Sequence, residues 1–154
     1  ETLRFEASVD GLAAARAHLD RMLLKESMLL QPYLQRVETC GELSAIFFDG
    51  RFSHAVRKIP VPGDYRVQDD YGASDEPARL GDDERALAER CLAAVAVGGE
   101  RPLLYARVDF LRDDEGALRL NELELVDPSL FFRHAPGAAE TLAGALCRRL
   151  NDTP

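Results

Sequence analysis

The sequence predicts an α+β domain, a mostly antiparallel sheet with helices packed on one face. Two hairpin signals and three stretches of helical periodicity carry that expectation. Asp49-Gly50 stands between runs rich in Phe, Ile and Val. Asp113-Asp114-Glu115-Gly116 stands between two apolar-alternating runs, 104–111 and 118–125. No internal repeat or interior linker divides the chain, so it reads as one domain.

Taken in order, Thr2-Leu3-Arg4-Phe5 reads as the end of a strand already under way. Asp10 is a plausible N-cap for a helix over 11–25. Leu12, Ala15, Leu19, Met22 and Leu23 give that helix an apolar face. Met28-Leu29-Leu30-Gln31 predicts a short buried strand stopped by Pro32. Strands over 42–49 and 51–59 follow, the second with Phe52, His54, Val56 and Lys58 on one side and Ser53, Ala55, Arg57 and Ile59 on the other. The polar stretch 60–81 is too long for a simple connector and reads as a functional or disordered loop. Asp82 or Asp83 caps a helix reaching about 97, with Leu87, Cys91, Leu92 and Val95 inward. The second hairpin comes next, then Pro128-Ser129-Leu130-Phe131-Phe132, and a closing helix over 137–150.

With 154 residues, the chain can bury a real core. Its apolar fraction of 46% and charged fraction of 30% are those of a globular protein, which excludes a disordered one. A net charge of −8 argues against a nucleic-acid surface. No apolar run approaches the ~20 residues that cross a bilayer, so no membrane partner is expected. Cys40, Cys91 and Cys147 form no CxxC pair and suit a reduced, cytoplasmic protein. Phosphate-loop, dinucleotide-binding, GxSxG and HExxH motifs are all absent. His18, His54 and His134 lack zinc-ligand spacing.

The second hairpin holds the chemistry. Strand alternation puts Arg107 and Asp109 on one face, and Glu122 and Glu124 on one face of the partner strand. Counting from the turn sets Arg107 roughly opposite Glu122 and Asp109 roughly opposite Leu120. Three carboxylates and a guanidinium then converge. Such a cluster suits Mg2+, which takes carboxylate oxygens and substrate phosphates, with Arg107 on a phosphate oxygen. The plain alternative is a set of solvated charges on the open face of a hairpin.

Gln31-Pro32-Tyr33-Leu34, Arg107-Val108-Asp109 and Asn121-Glu122-Leu123-Glu124, in this order and spacing, resemble the C-terminal part of an ATP-grasp ligase, most closely the branch of glutathione synthetase and the RimK-type glutamate ligases. The resemblance runs over nearly all of residues 1–154. It implies that 31–34 is a hinge between two subdomains that clasp adenine, with Tyr33 and Leu34 reading its edge and Gln31 near the exocyclic amine. Glu42 fits the residue that holds the ribose hydroxyls, with Glu38 as the alternative. Asp109, Glu122 and Glu124 match the magnesium ligands and Arg107 a phosphate-binding arginine, although many relatives carry Asn where Glu124 stands. Arg57, Lys58 and Arg66 fall where basic residues surround the transferred phosphoryl group and the substrate carboxylate, and Ser129 where substrate is touched.

The resemblance implies an ATP- and Mg2+-dependent ligase joining a small carboxylate substrate to an amine or thiol, or acting on a peptide, through an acyl phosphate. No protein nucleophile is required. The family's two lysines and glycine-rich lid loop precede the matching segment, and neither Lys25 nor Lys58 takes their place. The chain, opening at Glu1, is therefore expected to be a C-terminal piece without the N-terminal substrate domain and a poor catalyst alone. Its full-length form is compatible with a homo-oligomer. A nucleotide-binding module for regulation or assembly, without turnover, is the rival reading, and a purely structural α+β domain the third.

Overall fold

The computed structural model describes residues 3–95 and 102–151, and the chain divides into two compact units, Glu1–Tyr33 and Leu34–Pro154. The first unit is built on α1 (Val9–Met22). Ser8, not Asp10, is its N-cap, because the Ser8 hydroxyl accepts the Gly11 N–H at 3.1 Å. Asp10 sits in the first turn, where its charge favours the helix dipole. His18 and Met22 are buried, and the Phe5 and His18 rings lie 5.6 Å apart. The stretch 28–31 is not the expected buried strand. Leu29 is 94% exposed, and no described strand pairs with it to take its backbone groups.

The second unit begins with the short helix α2 (Val37–Cys40) and then forms β1 (Glu42–Phe48), β2 (Arg51–Ile59), β3 (Ser74–Ala78), α3 (Asp82–Ala93), β4 (Tyr105–Arg112), β5 (Leu118–Glu124) and α4 (Ala138–Asn151). The five strands make one antiparallel sheet in the order β3-β2-β1-β4-β5. On one face, Ala45, Phe47, Ala106, Val108 and Phe110 pack against Ala88 of α3, with Leu87, Cys91 and Leu92 at the margin. Burying each of the two phenylalanines contributes about 1.5–3 kcal/mol. On the other face, Ile46, Phe48 and Val56 meet Phe131 and Ala138, so helices contribute to both faces. Leu87, Cys91 and Leu92 face inward on α3 as expected, but the helix stops at Ala93, capped at Ala94, short of the expected 97, so Val95 lies beyond it.

Asp49 and Gly50 have φ of 51° and 74°, the two positive values a tight hairpin turn needs. Asp49 is held below its usual pKa, first by its hydrogen bond from Arg149 of α4 at 2.8 Å. The stretch 60–81, expected to be irregular, contains β3. Ser-Asp-Glu-Pro-Ala has little strand propensity, and an edge position tolerates Pro77 and its charged neighbours.

Gly41 links α2 to β1 at φ 68°. A Cβ there would lie 2.2 Å from the Lys58 carbonyl oxygen. Gly41→Ala is expected to lower stability by about 2–3 kcal/mol, read as a drop in the urea midpoint at unchanged slope.

At the β4–β5 turn, Asp113 accepts from Arg119 Nε at 2.6 Å and from the Ala117 N–H at 2.8 Å. The Arg119 bond, more than the backbone donor, holds its carboxyl below the usual range. A depressed folded pKa gives stability that is present above the unfolded value and lost as pH falls through the folded one. Asp113→Asn should therefore flatten the loss of stability below about pH 4, measured by urea unfolding at stepped pH.

Candidate active site

Two bulges decide which side chains share the charged face. Between β1 and β2 the register passes from Ile46↔His54 to Phe47↔Phe52, so Ser53 is the extra residue. Phe52 therefore joins Phe47 on the α3 face, their rings 5.7 Å apart, instead of standing with His54 as simple alternation predicts. Between β4 and β5, Asn121 is extra, and the register runs Phe110↔Leu120, then Asp109↔Glu122 and Arg107↔Glu124. This corrects the expected pairing of Arg107 with Glu122 and Asp109 with Leu120. The inserted residue moves the pairing along β5 by one, so both glutamates stand beside Asp109 and Arg107.

Asp109 is fully buried in β4, directly across from Ser44 of β1. Arg107 Nε donates to both of its oxygens at 3.0 Å and Nη2 to Oδ2 at 2.8 Å. The same guanidinium lies 3.1 Å from Glu124 Oε1 and 4.0 Å from Glu122 Oε2. Lys58 stands 3.2 Å from Asp109 Oδ2 and also contacts Glu42 Oε1. Asn121 Nδ2 donates to Glu42 Oε2 at 2.7 Å. The bulge thus recruits Asn121, which strand alternation alone does not single out, because the irregular register brings it to Glu42.

Four carboxylates face two cations, a surplus of two negative charges on a half-buried surface. Burial pushes the Glu42 carboxyl up, against the attraction of Lys58. Burial also raises Glu124, with Arg107 opposing and Glu122 and Asp109 adding to the rise. For Arg107, burial works against the charge, yet its bonds to Asp109 and the nearby Glu124 and Glu42 lift its pKa above the ordinary value. No three Asp, Glu, His or Cys groups among the described residues form a ready-made metal cage. The donor set fits an ion that takes a few carboxylate oxygens and fills its shell with water and phosphate oxygens, as Mg2+ does. Asp109, Glu122 and Glu124 are the residues that would hold it.

The remaining candidates lie elsewhere. Strand neighbours point to opposite faces, so Arg57 leaves the side of Lys58 and binds Glu76 of β3, Nε to Oε1 at 2.9 Å. Arg66, in the 60–81 connection, pairs with Asp64 at 2.6 Å and lies over the Tyr71 ring at 3.9 Å. Glu38 is exposed on α2. Ser129 offers its carbonyl to Arg107 Nη1 at 3.4 Å. Gln31 and Tyr33 belong to the first unit, where Arg4 lies over the Tyr33 ring, and Leu34 opens the second.

No family model matches the chain. Over 149 residues it is 36% identical to the cycloserine biosynthesis protein DcsG of Streptomyces lavendulae, a match taking in 88% of this chain and 47% of that protein. The crystal structure of D-cycloserine synthetase DcsG matches with a TM-score of 0.77 at 34% identity, over 91% of this chain and 48% of that one. A structure of the ATP-grasp ligase PsnB with a phosphomimetic precursor variant, Mg and ADP matches with a TM-score of 0.52 at 13% identity, over 88% of this chain and 50% of that one. The chain resembles the C-terminal part of ATP-grasp ligases and shares their fold. The D-alanine–D-alanine ligase of Bacillus anthracis with ATP shares the fold, with a TM-score of 0.54 at 16% identity over 94% of this chain and 46% of the ligase. The chain thus spans about half the length of the relatives it matches. The expected α+β class and antiparallel sheet are those of the ATP-grasp C-terminal module.

Proposed function

We propose that the full-length protein is an ATP- and Mg2+-dependent ligase that activates a substrate carboxylate as an acyl phosphate and passes the acyl group to an amine or thiol. The observation that carries this reading is the surplus of carboxylate charge around Arg107 and Lys58 on an ATP-grasp sheet. Asp109, Glu122 and Glu124 would hold Mg2+, which supplies charge neutralisation for phosphate oxygens. Arg107, already oriented by Asp109, offers its remaining N–H groups to a phosphate oxygen. Lys58 adds charge where carboxylate and phosphate, both anions, must approach each other. Glu42 suits the ribose hydroxyls, with Glu38 as the alternative, and Gln31, Tyr33 and Leu34 suit adenine. Arg66 and Ser129 are assigned to substrate. Arg57, on the other face of β2, has no part in it.

The likeness to a D-cycloserine synthetase favours a small substrate over a peptide. Placement near the glutathione synthetase and RimK-type branch, and a cytoplasmic setting where ATP is plentiful, belong to the same proposal. Hydroxylamine tests it, because it captures acyl phosphates as hydroxamates. Full-length protein with ATP, Mg2+ and a panel of small amino-acid carboxylates should give ADP and hydroxamate in equal amounts. Nucleotide binding with no ADP release across the panel would favour a binding module without turnover.

A further inference from the structure

The segment 129–134, which follows β5, crosses the charged face as a strap. Arg107 Nη1 donates to the Ser129 carbonyl at 3.4 Å. Phe131 is buried among Ile46, Phe48 and Val56, and its ring centroid lies 5.9 Å from the Arg107 guanidinium carbon and 5.3 Å from that of Arg133. The Phe132 ring stacks on Phe48 at 6.1 Å. Arg133 and His134 both contact the Asp75 carboxylate of β3. Phe131 holds φ 49° and ψ 40°, a left-handed conformation that is unfavourable for a bulky residue and persists only where its surroundings enforce it.

One enforcing contact comes from β2. His54 Nε2 lies 3.0 Å from the Leu130 carbonyl, immediately before the strained residue, and Nδ1 lies 2.9 Å from Ser53 Oγ. A carbonyl only accepts, so Nε2 carries the proton, and the neutral ring accepts the Ser53 hydroxyl at Nδ1. Burial, ahead of the opposing carbonyl bond, keeps the His54 pKa low, which suits that neutral form. Registers His54↔Ile46 and Ile46↔Arg107 put the imidazole in the same row as Arg107 but two strands away, about 10 Å. It cannot touch the guanidinium and acts through the strap.

We infer that His54 is a positioning residue for Arg107: by fixing the Leu130 carbonyl it sets the strap, and the strap fixes one side of the guanidinium. The inference deepens the ligase reading and rests on it for its kinetic test. In the full-length enzyme, His54→Ala should lower kcat about tenfold while KM for ATP stays within about twofold. His54→Gln, which keeps an N–H donor near the same place, should recover most of that loss. In an Arg107→Lys background, His54→Ala should change kcat by less than about twofold, because the group it positions is gone. Equal losses in both backgrounds, or no recovery with Gln, would overturn the inference.

A second readout needs no turnover. The Arg107 Nε–H resonance should exchange faster with water in His54→Ala than in the wild type and be restored in His54→Gln. An unchanged resonance in His54→Ala would also overturn it. If the wild type gives no ATP-dependent product, the ligase reading fails and the Arg107 resonance alone decides the role of His54.

Discussion

Replacing Arg107 with Met in the full-length protein is expected to lower the free energy of unfolding by about 3 kcal/mol. Arg107 is 6% exposed and Asp109 is fully buried, so the substitution leaves a buried carboxylate without the group that donates to both its oxygens. Lys58, 3.2 Å away, stays and compensates in part, which places the expected loss at the lower end of the range for a broken buried pair. The cost comes from the stranded charge rather than from the bond itself. Arg107→Met with Asp109→Leu should therefore be less destabilised than Arg107→Met alone. Urea unfolding checks both, with an unchanged slope showing that the midpoint shift reports stability. A double variant that loses the sum of the two single losses would contradict the account of Asp109 as a charge dependent on its partner.

Glu122→Gln is expected to show the opposite pattern. Its side chain is 53% exposed, and its contact with Arg107 is at the 4.0 Å edge of an ion pair, so stability should change by less than about 0.5 kcal/mol. ATP-dependent product formation should nevertheless fall on the order of 100-fold, because one of the carboxylates assigned to the metal has lost its charge. The amide also removes one of the repulsions that raise Glu124. Parallel kinetics and unfolding on one preparation separate the two effects. Unchanged turnover would remove Glu122 from the site, and a loss of turnover matched by unfolding would make its role structural.

These two variants also mark what could be read from the sequence. Period-two alternation suffices to put Arg107 with Asp109 and Glu122 with Glu124, and Asp49-Gly50 and the Asp113 turn suffice to fold both hairpins. Their mutual register was not legible, because a bulge is one extra residue with no strong local signature. Asn121 shifts β5 against β4, and Ser53 turns Phe52 to the other face. The edge strand β3 was equally hidden. Its pairing with β2 is a tertiary event imposed on a segment whose own residues favour a turn. Residues 28–31 failed in the other direction: apolar sequence implied a buried strand, but a strand also needs a neighbour to pair with. Glu42 is singled out by resemblance alone, while its link to Lys58 and Asn121 depends on contacts between strands far apart in sequence.

The central claim is that the carboxylates around Arg107 form a magnesium–nucleotide site. Calorimetric titration of a non-hydrolysable ATP analogue into the full-length protein tests it, with and without Mg2+ and with Asp109→Asn in parallel. The account predicts binding strengthened by Mg2+ in the wild type and a loss of that magnesium dependence in the variant, with far-ultraviolet circular dichroism confirming that the variant is folded. Binding of the same strength with and without Mg2+, or an undiminished magnesium effect in a folded Asp109→Asn protein, would contradict it.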